Sequence, residues 1–135
     1  MVQPSYDDIL YVIQYAMEQN NATKYIITSG FALYLYGLRD TYDDIDIWWN
    51  SVKTARLNIH GVVLDAHPIN IDSLQNVFKN MLQINKLNVM SLEDILNQKQ
   101  YLYKMPNRPK TKKEKDLLDI NKILKRIEEN KNTQI

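Results

Sequence analysis

The sequence predicts an α+β chain: short strands alternate with amphipathic helices, and the C-terminal third is helical. Three observations predict it. Apolar runs of strand length, bounded by polar or glycine turns, recur at 26–28, 44–49, 62–64 and 84–90. Apolar residues repeat at helical spacing over 5–19, 72–81, 91–102 and 111–128. N-capping signals stand at the start of those helical stretches, at Ser5, Asp72, Ser91 and Thr111.

Taken in order, Ser5 with Asp8 opens a packing helix whose face is Ile9, Val12, Ile13 and Ala16, widened by Leu10 and Met17. Asn20-Asn21 ends it. Ile26-Ile27-Thr28 reads as a buried strand and runs straight into a Ser29-Gly30 turn. Ala32, Leu33, Leu35 and Tyr36 then follow a short helical pattern, and Gly37 stops it. Asp44-Ile45-Asp46 begins the next strand, where alternation sends the two carboxylates to one side and Ile45 and Ile47 to the other. Of Trp48 and Trp49, one falls on the core side and one on the carboxylate side, either as packing or as a surface to stack a base. A turn at His60-Gly61 precedes Val62-Val63-Leu64, a β-branched run ending in Asp65, and His67-Pro68 closes that strand.

Asp72 caps a helix with Leu74, Val77, Phe78 and Met81 on its core face, and 84–90 is a single strand. Ser91 caps a helix bearing Ile95, Leu96, Lys99 and Leu102. Two prolines break the pattern over 105–111. Thr111 opens the last helix, with Leu117, Ile120, Leu124 and Ile127 as its buried stripe. Residues 129–135 are polar and read as a frayed tail.

The chemistry sits at Asp44 and Asp46. Carboxylates held side by side on a strand raise each other's pKa, and a divalent cation removes that penalty. Oxygen-only ligation suits Mg²⁺ or Mn²⁺. An acidic strand end facing solvent would look the same from these three residues alone.

The succession of strand, Ser29-Gly30 turn, short helix and Asp44-Ile45-Asp46 strand resembles the nucleotidyltransferase superfamily, which has the DNA polymerase β-like fold. The resemblance is closest to its small bacterial and phage branches: abortive-infection toxins, minimal nucleotidyltransferases and lincosamide nucleotidyltransferases. Arg39 and Thr41 sit just before the carboxylates, as an Arg and a Thr or His often do in those branches. Ser before Gly departs from the usual Gly-Gly or Gly-Ser, and Asp43 is an extra acid. The resemblance implies a small mixed sheet flanked by helices with a helical C-terminal part. It also implies a third carboxylate from the following strand, for which Asp65 is the sole acid between Asp46 and Asp72.

Within the resemblance, Asp44, Asp46 and Asp65 are metal ligands and catalytic residues. Ser29, Gly30 and Arg39 are phosphate contacts, although Arg39 would equally brace its loop through Asp40. The stretch from Val89 to Lys99 is similar to the abortive-infection branch, and Lys99 takes the place of a lysine that serves its active site. Lys115-Asp116-Leu117-Leu118-Asp119 resembles that branch's Arg/Lys-Asp-x-x-Asp motif, which makes Lys115 a second phosphate contact. An exposed helix lysine is the plainer reading of Lys99. The implied reaction moves an NMP from an NTP to a hydroxyl of an RNA, a protein or a small molecule, with Mg²⁺ or Mn²⁺ as cofactor. A component of toxin–antitoxin or phage-defence systems that works by partner binding is the second expectation, and an unrelated α/β binding module the third.

Composition sets bounds. The 135 residues suit one domain over 1–128, with a core of about 5–90 and a helical part over 91–128. Cysteine is absent and there are two histidines, which excludes disulfides and thiolate metal sites. No run approaches the roughly 18 apolar residues of a membrane span, so no membrane partner is expected, and cytoplasmic residence fits. Net charge is +1, which gives no whole-molecule attraction to nucleic acid. From Lys104 to Lys115, however, six basic residues face one acid, either a patch for a triphosphate or RNA backbone or a solvated linker. An acceptor site would lie on the C-terminal helices or on a second subunit, and the partners expected besides NTP and acceptor are a protein partner or a second copy in a homodimer.

Overall fold

A computed structural model describes residues 3–133. It is α+β, with a mixed six-stranded sheet and five helices among the described residues. The chain divides into two compact units, Met1–Met90 and Ser91–Ile135.

In the first unit, helix α1 (Tyr6–Gln19) is capped by the Ser5 side chain, which accepts from the Asp8 N–H. Its Ile9, Val12, Ile13 and Ala16 are fully buried, and it packs on strands β3 (Ala55–Ile59) and β4 (Val62–Pro68). Strand β1 (Tyr25–Thr28) leads directly into α2 (Ser29–Leu35). That helix ends as the glycine signal requires. Gly37 takes φ +78° and donates to the Tyr34 carbonyl, while the Leu38 N–H reaches the Leu33 carbonyl, a Schellman closure.

Strand β2 is Ile45–Trp49, so Asp44 lies in the bend just before the strand and not on it. Ile45, Ile47 and Trp49 are buried while Asp46 and Trp48 are partly exposed. Strand alternation thus settles the tryptophans: Trp49 is core, with its Nε1 donating to the Lys53 carbonyl at 2.8 Å, and Trp48 shares the carboxylate face. β4 alternates in the same way, Val62, Leu64 and Ala66 being buried and Asp65 between them partly exposed.

The sheet order is β3-β4-β2-β1-β6-β5, where β5 is Leu82–Ile84 and β6 is Leu87–Val89. β2 runs antiparallel to β1 and parallel to β4, and β1 runs parallel to β6. The single strand expected at 84–90 is a hairpin. Asn85 and Lys86 both take positive φ, the two-residue geometry that matches strand twist. Helix α3 (Ile71–Asn80) starts before the expected Asp72. Asn70 is its cap and accepts from the Asp72 N–H, which leaves Asp72 in the first turn, where an acid favours the helix dipole. Of its expected core face Leu74 is buried, and Val77, Phe78 and Met81 are half-buried.

In the second unit, α4 (Leu92–Tyr103) is capped by Ser91 as expected and packs on α5 (Lys110–Asn132). Thr111 does not cap α5. The helix opens at Lys110 behind Pro109, whose extended backbone positions its carbonyl to accept from the Lys113 N–H. The expected stripe is also rotated: Asp116, Asp119, Ile120 and Ile123 are buried, while Leu117 and Leu124 are more than two-fifths exposed. Residues 129–132, expected to fray, continue the helix, and residues 134–135 of that tail lie outside the described residues.

Candidate functional site

One row of residues crosses four strands of the first unit. Thr28 on β1 is opposite Asp46 on β2, Asp46 is opposite Asp65 on β4, and Asp65 is opposite Arg56 on β3. The next row on the same face pairs Ile26, Trp48 and His67. Backbone pairing therefore sets Asp46 and Asp65 side by side on rigid neighbouring strands. The bend before β2 adds Asp44, two residues ahead of Asp46 and bonded to the same Arg56 as Asp65.

The turn that follows Thr28 adjoins this row in sequence and in register. Ser29 adopts φ +61°, a left-handed conformation that a side chain with a Cβ disfavours. Gly30 serves closeness rather than positive φ. A Cβ there would lie 2.5 Å from Arg39 Nη1, so the Arg39 guanidinium lies directly over the turn. The loop that carries Arg39 is pinned by aromatic packing. Tyr42 meets Phe31 edge-on at 4.5 Å between centroids and lies 4.8 Å from the Tyr34 ring. Thus α2 anchors the segment that delivers Arg39 to the turn and Asp44 to the bend before β2.

Electrostatics confirm how crowded the acids are. Burial pushes the Asp46 carboxyl above the ordinary carboxylate range, and the charges of Asp65 and Asp44 push it further. His67 and Arg56 oppose the rise, His67 Nε2 standing 4.0 Å from Asp46 Oδ1. Arg56 answers the other two acids. Its Nη1 donates to both oxygens of Asp65, at 2.7 and 2.6 Å, and to Asp44 Oδ2 at 3.2 Å. Those bonds raise the guanidinium pKa further, so Arg56 is charged at every working pH. Among the described residues no three acidic or histidine side chains form a ready-made cation cage. The donor set nevertheless suits a hard divalent ion, because it offers carboxylate oxygens alone and its surplus negative charge already holds a cationic group.

Ser29, Gly30, Arg39, Asp44 and Asp46 therefore lie around the end of β1 and the start of β2, with Asp65 beside Asp46 in the middle of β4. Lys99 and Lys115 belong to the second unit. Lys99 is buried on α4, with Nζ 3.3 Å from Asp119 and 3.7 Å from Asp116, both buried on α5. Arg108 closes the same cluster with a two-pronged contact to Asp116, at 2.5 and 3.0 Å. The i, i+3 spacing of the Asp116 and Asp119 pair puts both on the helix face that grips Lys99. Lys115 is exposed.

Arg56 is not singled out by any sequence pattern above. The signal that finds it is the turn: His60 and Gly61 both take positive φ and make a two-residue hairpin, which fixes the pairing of the flanking strands. Counting back from that turn, Arg56 and Asp65 must be opposite.

No family model, curated protein or solved structure matches this chain.

Proposed function

We propose that the chain is a divalent-cation-dependent nucleotidyltransferase that moves an NMP from an NTP to a hydroxyl acceptor. The observation that carries this reading is the register pair of carboxylates, Asp46 beside Asp65, with Asp44 in the bend just before β2 and a backbone turn at positive φ after β1. A strained turn beside a cluster of like charges costs stability twice, and folds retain such features chiefly at functional sites.

In this reading Asp44, Asp46 and Asp65 would hold Mg²⁺ or Mn²⁺. The bound cation would neutralise charge on the phosphates and favour ionisation of the attacking hydroxyl. The chain's own groups do the positioning. The Ser29-Gly30 turn would receive phosphate oxygens, with the Ser29 hydroxyl as a donor and the Arg39 guanidinium above it as a charge partner. The acceptor oxygen would bond to the α-phosphorus as the bond to pyrophosphate breaks. Asp65, once clear of Arg56, would take the hydroxyl proton on a carboxylate oxygen. Trp48, partly exposed one row away, is placed to pack against a base or an acceptor. Lys99 is committed to Asp116 and Asp119, which makes bracing α4 against α5 its proposed task, and Lys115 stays exposed on α5.

The acceptor class is RNA, protein or a small molecule, and one experiment sorts these. Each radiolabelled NTP is incubated with Mg²⁺ and total RNA and protein, using wild type beside the Asp44→Ala, Asp46→Ala double variant. Label should move to one acceptor class with wild type and fall by about a hundredfold to a thousandfold or more with the variant, the scale of losing preorganised charge at a reacting centre. Equal labelling by the two proteins would sink the assignment. A second reading is a partner-binding component of a toxin–antitoxin or phage-defence system with little catalysis. It is favoured by Arg56 lying across Asp44 and Asp65. Capture of a protein partner that is unaffected by the double substitution, with no label transfer, would support it.

A further inference from the structure

We propose that Arg56 is a built-in counter-cation that competes with the divalent ion for Asp44 and Asp65, so that the site loads only as the guanidinium is displaced. The inference rests on reading those carboxylates as cation ligands. The geometry supports competition rather than support. Arg56 Nη1 contacts both oxygens of Asp65 at 2.6 and 2.7 Å and one oxygen of Asp44 at 3.2 Å. A divalent ion at bonding distance needs the same lone pairs, and ion and guanidinium repel each other.

The side chains differ in freedom. The Arg56 side chain is 63% exposed, against 17% for Asp65. The acid is fixed, and the base is rooted in the outermost strand with its head in water. The Arg56 side chain is mostly exposed, so swinging its head away costs little packing and chiefly the charge pair with Asp65, which the divalent ion would replace. Side-chain rotation of exposed residues is also fast, which keeps exchange from limiting turnover.

Displacement also creates something. A guanidinium released from Asp65 becomes a planar double donor on the carboxylates' face of the sheet, and phosphate is its other natural partner. Cation entry and nucleotide entry then assist each other, because one takes the carboxylates from Arg56 and the other takes Arg56 from the carboxylates. Linkage makes that assistance reciprocal. Without nucleotide, the bare protein should hold a divalent ion weakly.

The test is Mn²⁺ titration, with free ion followed by electron paramagnetic resonance, on wild type, Arg56→Gln, Arg56→Lys and Arg56→Gln with Asp65→Asn. Far-UV circular dichroism first checks that each is folded. Arg56→Gln should bind Mn²⁺ about tenfold more tightly than wild type, a typical size for coupling between two ligands. Arg56→Lys should stay close to wild type, and the double variant should lose the gain. Equal binding by wild type and Arg56→Gln, or weaker binding by Arg56→Gln, would overturn the competition while leaving the cation site standing. No binding by any of the four would overturn both the competition and the reading on which it rests.

Discussion

Asp46 is half-buried between two other acids, and its ionisation is opposed by desolvation first and by Asp65 and Asp44 after that. Its pKa in the folded chain therefore lies above the unfolded value. The folded state binds more protons than the unfolded state between those two values, so stability falls as pH rises through that window. Asp46→Asn removes the penalty. Thermal melts should show the variant more stable than wild type at pH 7, with the difference closing as pH falls below the ordinary carboxylate range. A destabilised variant at pH 7 would mean that His67 and Arg56 outweigh the acids. Ser29 carries the other local cost. At φ +61° a β-branched residue is a true outlier, so Ser29→Val should lower stability by about 1–3 kcal/mol, while Ser29→Gly should be neutral or better. Urea melts of the pair would decide it. At this scale the acids were readable, because strand alternation alone places Asp46 on the opposite side from Ile45 and Ile47. Arg56 was not, since its importance arises from a pairing between strands and from no motif of its own.

Among the elements, α5 shows best where periodicity fails. Counting apolar residues selects Leu117, Ile120, Leu124 and Ile127, yet the buried face turns on Asp116, Asp119, Ile120 and Ile123. A stripe can include aspartates when cations meet them, and buried Lys99 and half-buried Arg108 do so here. Hydropathy has no symbol for a satisfied charge. Such a network is intolerant of losing one member. Lys99→Met would remove the ammonium that buried Asp119 and Asp116 share, leaving Arg108 on Asp116, and should cost about 3–5 kcal/mol in chemical denaturation. If Lys99 instead serves phosphate alone, the melt should barely move and only nucleotide binding should suffer. The helices capped by Ser5 and Ser91 and the Gly37 stop were readable because a cap is a contact within one turn. The start of α5 was misread, since Thr111 offered a plausible cap where Pro109 already set the entry.

For the chain as a whole, the α+β class follows from alternating strand-length and helix-length patterns. The strand order β3-β4-β2-β1-β6-β5 does not, because each of its non-sequential neighbours joins residues far apart in the chain. Among the described residues no helix is long and apolar enough to cross a membrane, in line with the hydropathy of the sequence. The order of strands has one more effect. It puts β3 at one margin of the sheet, where a row of main-chain donors and acceptors faces no further strand among the described residues. Margins of that kind invite a strand from another molecule, and a charged side chain on them is a common deterrent. Arg56, mostly exposed on that margin, has the deterrent's position as well as its place among the acids. Exchanging it for an apolar residue would therefore trade a question of chemistry for one of colloidal behaviour, the molecules meeting edge to edge before any of them had unfolded.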